Sequence, residues 1–181
     1  MNKKKVLMLS QWYPLSMSRY FEKAFQARED IELRTIGGYT GNKIPWMGGM
    51  ELPMKYAKCP TYPMFNVSSK VPWYMVEPML GDWKPDLVIA VDAGCNWLSK
   101  PEVDCPIVTV ATDPHVLNYD HARSISHYFF NMQKCYMKDV DIYLPYAFSV
   151  PDHYFIPSPN RPSNDAVLVG MPYPNRVFMG S

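Results

Sequence analysis

Residues 107–124 read IVTVATDPHVLNYDHARS, a short apolar run that continues directly into charged and polar side chains. The β-branched residues from Ile107 to Val110 predict a strand that is covered on both faces, as in the parallel sheets of α/β proteins. Open sheets of this kind bind ligands beyond the carboxyl ends of their strands. We therefore predict a functional site in the loop that follows Val110.

Strand and helix patterns alternate on both sides of this stretch. Five further strands are predicted, at residues 5–10, 31–36, 86–91, 127–132 and 140–144. Helices are predicted over 19–28, 73–80 and 120–125, with Ser16 or Ser18 as the cap of the first. A short helix within 51–56 and a helical turn or two within 133–139 are also expected. This alternation predicts a Rossmann-like, doubly wound parallel sheet.

Glycine and proline interrupt every periodic run between residues 37 and 72. Two interpretations stay open for this region. It is either a long surface excursion pinned by its aromatic and methionine side chains, or a loop that covers a substrate, because long loops inside compact domains are often functional.

Composition places the domain boundaries. Residues 1–150 are predicted to form the Rossmann-like domain, and the four prolines within 151–164 predict a linker. Residues 165–170 again read as a strand followed by glycine, so 165–181 is interpreted as the start of a truncated second α/β domain. Its exposed end offers a possible route to a homo-oligomer.

The bulk numbers exclude several classes of protein. A formal net charge of +1 does not indicate a nucleic-acid partner, and the apolar run after the amino-terminal lysines is too short for a membrane segment. Four cysteines without zinc-ligand or disulfide spacing favour a reducing compartment, so a cytoplasmic location is expected.

An ordered set of motifs runs through residues 85–177. It comprises ATDPH at 111–115, DHAR at 120–123, HYFFNMQ at 127–133, LPYAFS at 144–149, PDHY at 151–154 and VLVGMPYPNR at 167–176. Together these resemble the amino-terminal half of GT-B glycosyltransferases, and in particular the CgeB-like, spore-maturation-protein-like group. The chain departs from that group by one additional residue within 148–151 and by lacking most of the second, donor-binding domain.

The resemblance implies transfer of a sugar from a nucleotide-sugar donor to an acceptor, with no cofactor other than the donor substrate and no metal. We expect the fragment alone to be inactive. An inverting enzyme needs a general base beside the acceptor hydroxyl, and Asp113 and His115 are the first candidates. Asp92, at the end of the strand over 86–91, is the second. The alternatives stay open: Asp113 as a helix cap, His115 as a packed ring and Asp92 as a turn residue.

Further residues are predicted to contact substrate. They are Gln11, Trp12, Tyr13, Gly94, Asp120, Arg123 and Gln133. Glycine at 94 lets a ligand approach the backbone. Packing is the alternative for the aromatic pair after the first strand, and mutual pairing is the alternative for Asp120 and Arg123.

Two other functions compete with a transferase. A non-catalytic module that binds a carbohydrate or a nucleotide would use the same half-fold. A flavodoxin-like or response-regulator-like protein is disfavoured, because no phosphate-binding glycine-rich turn and no acidic pair follow the first strand.

Overall fold

The computed structural model describes residues 2–14, 16–44, 48–57, 59–64, 70–71, 73–91, 96–97, 100–115 and 117–145. The linker and second domain predicted for 151–181 lie outside the described residues. Among those that are described, no helix is long and apolar enough to cross a membrane.

Eleven strands and three α-helices are described within these ranges. The strands are β1 (Lys4–Leu9), β2 (Ile31–Gly38), β3 (Lys43–Ile44), β4 (Met50–Glu51), β5 (Tyr62–Met64), β6 (Lys70–Val71), β7 (Leu87–Val91), β8 (Asn96–Trp97), β9 (Ile107–Ala111), β10 (Tyr128–Asn131) and β11 (Ile142–Tyr143). The helices are α1 (Ser18–Gln26), α2 (Trp73–Leu80) and α3 (Asp120–Ile125), with 3₁₀ turns at Met54–Tyr56 and Lys134–Tyr136.

Seven strands form one sheet in the order β11-β10-β9-β7-β1-β2-β5. Every neighbouring pair in this sheet is parallel. The strand order reverses between β1 and β7, as in doubly wound sheets, where ligands bind at the carboxyl edge. Two small two-stranded ladders, β3-β4 and β6-β8, stand apart from this sheet. The structure confirms the predicted α/β class with a parallel sheet.

Alternation along β1 divides the core into two halves. Leu7 and Leu9 point to one face, where they pack with α2 through Trp73 and Val76. Val6 and Met8 point to the other face, together with Ile89, Val91 and Val110, and α1 covers that side through Met17, Phe21 and Phe25. The sheet therefore carries helices on both faces.

The strands and helices predicted within the described residues occur, with ends shifted by a few residues, and the strand predicted within 165–170 lies outside them. The predicted cap of α1 is wrong: Met17 occupies the N-cap position and makes no side-chain cap hydrogen bond, while the Ser16 hydroxyl accepts a hydrogen bond from the amide of Ser18, the first helical residue, at 3.2 Å. Five strands were not predicted: the four short strands of the two-stranded ladders, and β5 of the main sheet. Residues 62–64 lie inside the interrupted region yet form β5, and Pro63 is tolerated there because β5 is an edge strand.

Gly37 allows β1 and β2 to stay paired beyond Leu9. The Ser10 amide donates to the Ile36 carbonyl at 3.1 Å and the Trp12 amide donates to the Gly38 carbonyl at 2.7 Å. This register brings Gly37 against the backbone of Ser10: a Cβ on Gly37 would lie 1.6 Å from the Ser10 carbonyl oxygen. Both groups belong to paired backbone, so neither can move away without breaking the ladder.

Gly37→Ala is therefore expected to lower the free energy of unfolding by about 3 kcal/mol or more, since a steric clash with backbone has no cheap relaxation. Urea unfolding followed by circular dichroism measures the loss. Gly81→Ala is the matched control, because Gly81 also has a positive φ but open space around its Cβ position. That variant should lose only about 1–2 kcal/mol, and equal losses for the two variants would contradict the assignment.

Candidate functional site

Residues that follow β9 and β10 meet at the carboxyl edge of the sheet. The two strands are parallel neighbours, with Ala111 in register with Asn131. Parallel strands present their following loops on the same side. The segment from Thr112 to His115 therefore emerges beside Met132 and Gln133.

Three predicted site residues come together here, and we call Asp113, His115 and Gln133 the carboxyl-edge cluster. The Gln133 side-chain nitrogen Nε2 donates to the Thr112 carbonyl at 3.0 Å and lies 3.0 Å from His115 Nδ1. Asp113 Oδ2 accepts from the Thr112 hydroxyl at 3.4 Å. Sequence reasoning named all three residues, although it did not foresee the contact between His115 and Gln133.

A tyrosine that was not predicted borders this cluster. The ring of Tyr136 lies 6.3 Å from the ring of His115, centroid to centroid, and Tyr136 is exposed. An exposed imidazole beside an exposed aromatic face offers both polar and apolar contact to a ligand. In the sequence, the signal for this contact was the position of Tyr136, three residues after Gln133.

Arg123 is held in a buried ion pair with Asp141. Its Nε and Nη2 atoms donate to the two carboxylate oxygens at 2.6 and 2.9 Å. The Asp141 side chain has no exposed surface, and that of Arg123 is 13% exposed. The guanidinium also donates to Asp120 at 3.0 Å. This geometry matches the alternative in which Arg123 pairs with neighbouring carboxylates. The predicted contact of Arg123 with substrate stays a prediction.

Asp120 lies at the exposed side of the same network. Its carboxylate is 59% exposed and pairs with Lys138 as well as with Arg123. The hydrogen bond from Lys138 lowers the pKa of Asp120 below its usual value. The predicted substrate contact of Asp120 stays a prediction.

Asp141 collects hydrogen bonds from three elements. Besides Arg123, its Oδ2 accepts from the Lys138 amide at 3.0 Å and from Asn131 Nδ2 at 3.1 Å. Burial by itself would raise the pKa of Asp141, but the hydrogen bonds from Arg123, Lys138 and Asn131 outweigh it, so the pKa lies below its usual value. The carboxylate is therefore held in its charged form.

The predicted residues after β1 lie at the same edge but farther along it. Because β7 stands between β1 and β9, the ends of β1 and β9 are roughly 10 Å apart. Trp12 is 1% exposed and packs in the core, which matches the packing alternative. Gln11 and Tyr13 are half-buried. Gln11 and Tyr13 keep their predicted substrate contacts as predictions.

Hydrogen bonds of buried serine hydroxyls connect the end of β1 with β7 and with α1. Ser10 Oγ donates to the Val91 carbonyl at 2.7 Å, and Ser18 Oγ is hydrogen-bonded to the hydroxyls of both Ser10 and Ser16. All three serines are buried. They join the start of α1 to the central strands.

Asp92 and Gly94, which were predicted to act beyond β7, lie outside the described residues. Within the described part of the chain, no group of three or more His, Cys, Asp or Glu side chains is placed to hold a metal ion.

Besides Tyr136, two further residues of this region were not predicted from the sequence. Asn131 and Asp141 both support Gln133, yet each reads in the sequence as an ordinary polar residue at the end or start of a strand. The sequence sign of a special role for Asn131 was a polar residue that ends the otherwise apolar strand YFFN.

No protein-family model, no curated protein and no solved structure matches the chain.

Asp141→Asn is expected to lower the free energy of unfolding by about 3 kcal/mol, because it leaves the Arg123 charge buried without its partner. Asp120→Asn is the control, and because Asp120 is exposed its loss should be far smaller. Chemical unfolding of both variants measures the difference.

The same pair predicts the response to pH. A carboxyl whose pKa is lower in the folded than in the unfolded state stabilises fully above the unfolded value of about 3.9, and this contribution is lost as the pH falls through the folded value. The stability difference between the unaltered chain and Asp141→Asn should therefore be constant at neutral pH and shrink below about pH 4. A difference that grows on acidification would contradict the assignment.

Proposed function

We propose that the chain is the acceptor-side half of a GT-B-type glycosyltransferase, which transfers a sugar from a nucleotide-sugar donor to an acceptor hydroxyl. The observation that carries the proposal is the cluster of Asp113, His115 and Gln133 beyond two neighbouring parallel strands. It lies on the edge where open α/β sheets bind their ligands. The ordered motifs of residues 85–177 supply the reaction class by resemblance.

The proposed chemistry assigns one proton transfer to this edge. In an inverting transfer the acceptor oxygen attacks the anomeric carbon, the bond from that carbon to the diphosphate oxygen breaks, and a base takes the acceptor proton. Asp113 is half-buried and follows β9 directly. Its carboxylate is therefore the group that we assign to the proton. Binding of the diphosphate belongs to the donor-binding half.

A cytoplasmic location is part of the proposal. Cys59, Cys105 and Cys135 are free thiols among the described residues, as is usual in a reducing compartment.

A non-catalytic module that binds a carbohydrate is the second candidate. The exposed Tyr136 ring beside His115 favours it, because aromatic faces and polar edges together suit a sugar whether or not a reaction follows. The two candidates differ in what Asp113 does.

The proposal predicts that simple saccharides bind the chain at the carboxyl-edge cluster. His115→Ala should weaken that binding roughly threefold to tenfold, as expected for the loss of one hydrogen bond. Calorimetric titration with a panel of mono- and disaccharides measures the affinity. Glu102→Gln, an exposed change in the loop that precedes β9, is the control and should leave it unchanged.

Asp113→Asn separates catalysis from binding. In the protein as it occurs in the cell, this change should lower sugar transfer at least about 100-fold while saccharide affinity stays within about threefold. Chromatographic detection of the product and of the released nucleoside diphosphate gives the rate. Asp104→Asn is the matched control, because Asp104 is an exposed aspartate at the opposite end of the same strand.

Two outcomes would change the conclusion. Saccharide binding without transfer from any nucleotide sugar would favour the binding module. The absence of both binding and transfer would overturn the proposed function.

A further inference from the structure

The side-chain amide of Gln133 faces two acceptors. Its Nε2 atom lies 3.0 Å from the Thr112 carbonyl oxygen and 3.0 Å from His115 Nδ1. A carbonyl oxygen only accepts, so the amide must present its nitrogen here; the reversed orientation would place two oxygens against each other. The Thr112 backbone therefore determines which way the Gln133 amide points.

This orientation determines where the proton sits on His115. The nitrogen of an amide carries two hydrogens and accepts none. One hydrogen goes to Thr112, and the second points at His115 Nδ1, which must then be the unprotonated nitrogen of the ring. We infer that Gln133 holds neutral His115 in the tautomer that carries its proton on Nε2, so that this ring presents a hydrogen-bond donor to a ligand.

A second amide keeps Gln133 in position. Asn131 Nδ2 donates to the Tyr136 carbonyl and to Asp141 Oδ2, each at 3.1 Å, and both of these groups are acceptors. The Asn131 oxygen Oδ1 is thereby directed at the Gln133 amide, from which it accepts at 2.9 Å. Asn131 is fully buried. Asn131 thus holds the backbone of Gln133, and the Thr112 carbonyl holds its side chain.

The tautomer divides the chemical roles at the carboxyl-edge cluster. A ring with its proton on Nε2 and its Nδ1 lone pair engaged by Gln133 has no lone pair to offer a substrate proton. It binds an oxygen that accepts, such as a hydroxyl, ring or phosphoryl oxygen of a sugar or a nucleotide. Asp113 is then the remaining group that can take a proton, and Gln133 is a positioning residue. Only this assignment of ligand and roles rests on the proposed function; the tautomer itself does not.

Another histidine supplies an internal standard for the test. His127 Nδ1 accepts a hydrogen bond from the Ile107 backbone amide at 3.0 Å. A backbone amide only donates, so His127 also carries its proton on Nε2 when neutral. His127 lies at the amino end of β9, away from Gln133, and its signals report whether a variant is folded.

The test uses ¹⁵N–¹H correlation spectra of the imidazole rings in the ligand-free chain, recorded at a pH high enough that the ring signals no longer change. His115 should show the same pattern as His127, with an unprotonated Nδ1 and a protonated Nε2. Gln133→Glu replaces the donor by a carboxylate that only accepts, and so it should move the His115 proton to Nδ1. His127 should stay unchanged in the same sample.

The results separate this inference from the proposed function. A protonated Nδ1 on His115 in the unaltered chain would overturn the inference, and so would a tautomer that Gln133→Glu does not change. The predicted spectra together with a failure to bind saccharides or transfer sugar would retain the tautomer and reject the transferase.

Discussion

The carboxyl edge over β9 and β10 depends on a buried charge. The Asp141 carboxylate has no contact with solvent, and an ion removed from water is tolerated only when its oxygens are paired. Arg123, Lys138 and Asn131 satisfy this requirement from α3, from the turn before β11 and from β10. The same bonds orient Asn131, and Asn131 in turn holds Gln133. The geometry at His115 thus traces back to one carboxylate that touches none of the cluster directly.

Much of the fold could be predicted from the sequence, because the residue patterns that indicate strands and helices are local. The β-branched run of β9 and the alternating faces of β1 depend only on neighbouring residues. β5 was missed because its three residues contain Pro63, and its partner contacts are long-range: Thr35 with Thr61, and Arg34 Nη1 with the Tyr62 hydroxyl at 2.9 Å. The sequence of residues 62–64 does not indicate these partners.

The site divides in the same way. The sequence predicted strands that end just before Asp113 and just before Gln133, and the parallel sheet brings these residues and His115 to one edge. The bond between His115 and Gln133 could not be predicted, since it requires the register that sets Ala111 beside Asn131. Arg123 and Asp141 are 18 residues apart, so the sequence did not indicate their ion pair, and Arg123 was predicted to contact substrate. Trp12 was ambiguous because an aromatic residue after a strand serves equally for packing or for stacking.

The parallel sheet also constrains how the chain reaches its folded state. β1 lies inside the sheet between β2 and β7, and β7 lies far along the chain: the contact between Lys5 and Asp86 spans 81 residues. Contacts of such long separation form slowly, because the loop must close before the pairing stabilises it. During synthesis β1 can pair with β2 early, but its other edge stays open until β7 has left the ribosome. A nascent chain of this protein therefore exposes an apolar strand edge until β7 emerges, which is the condition under which chaperones bind and misassembly begins.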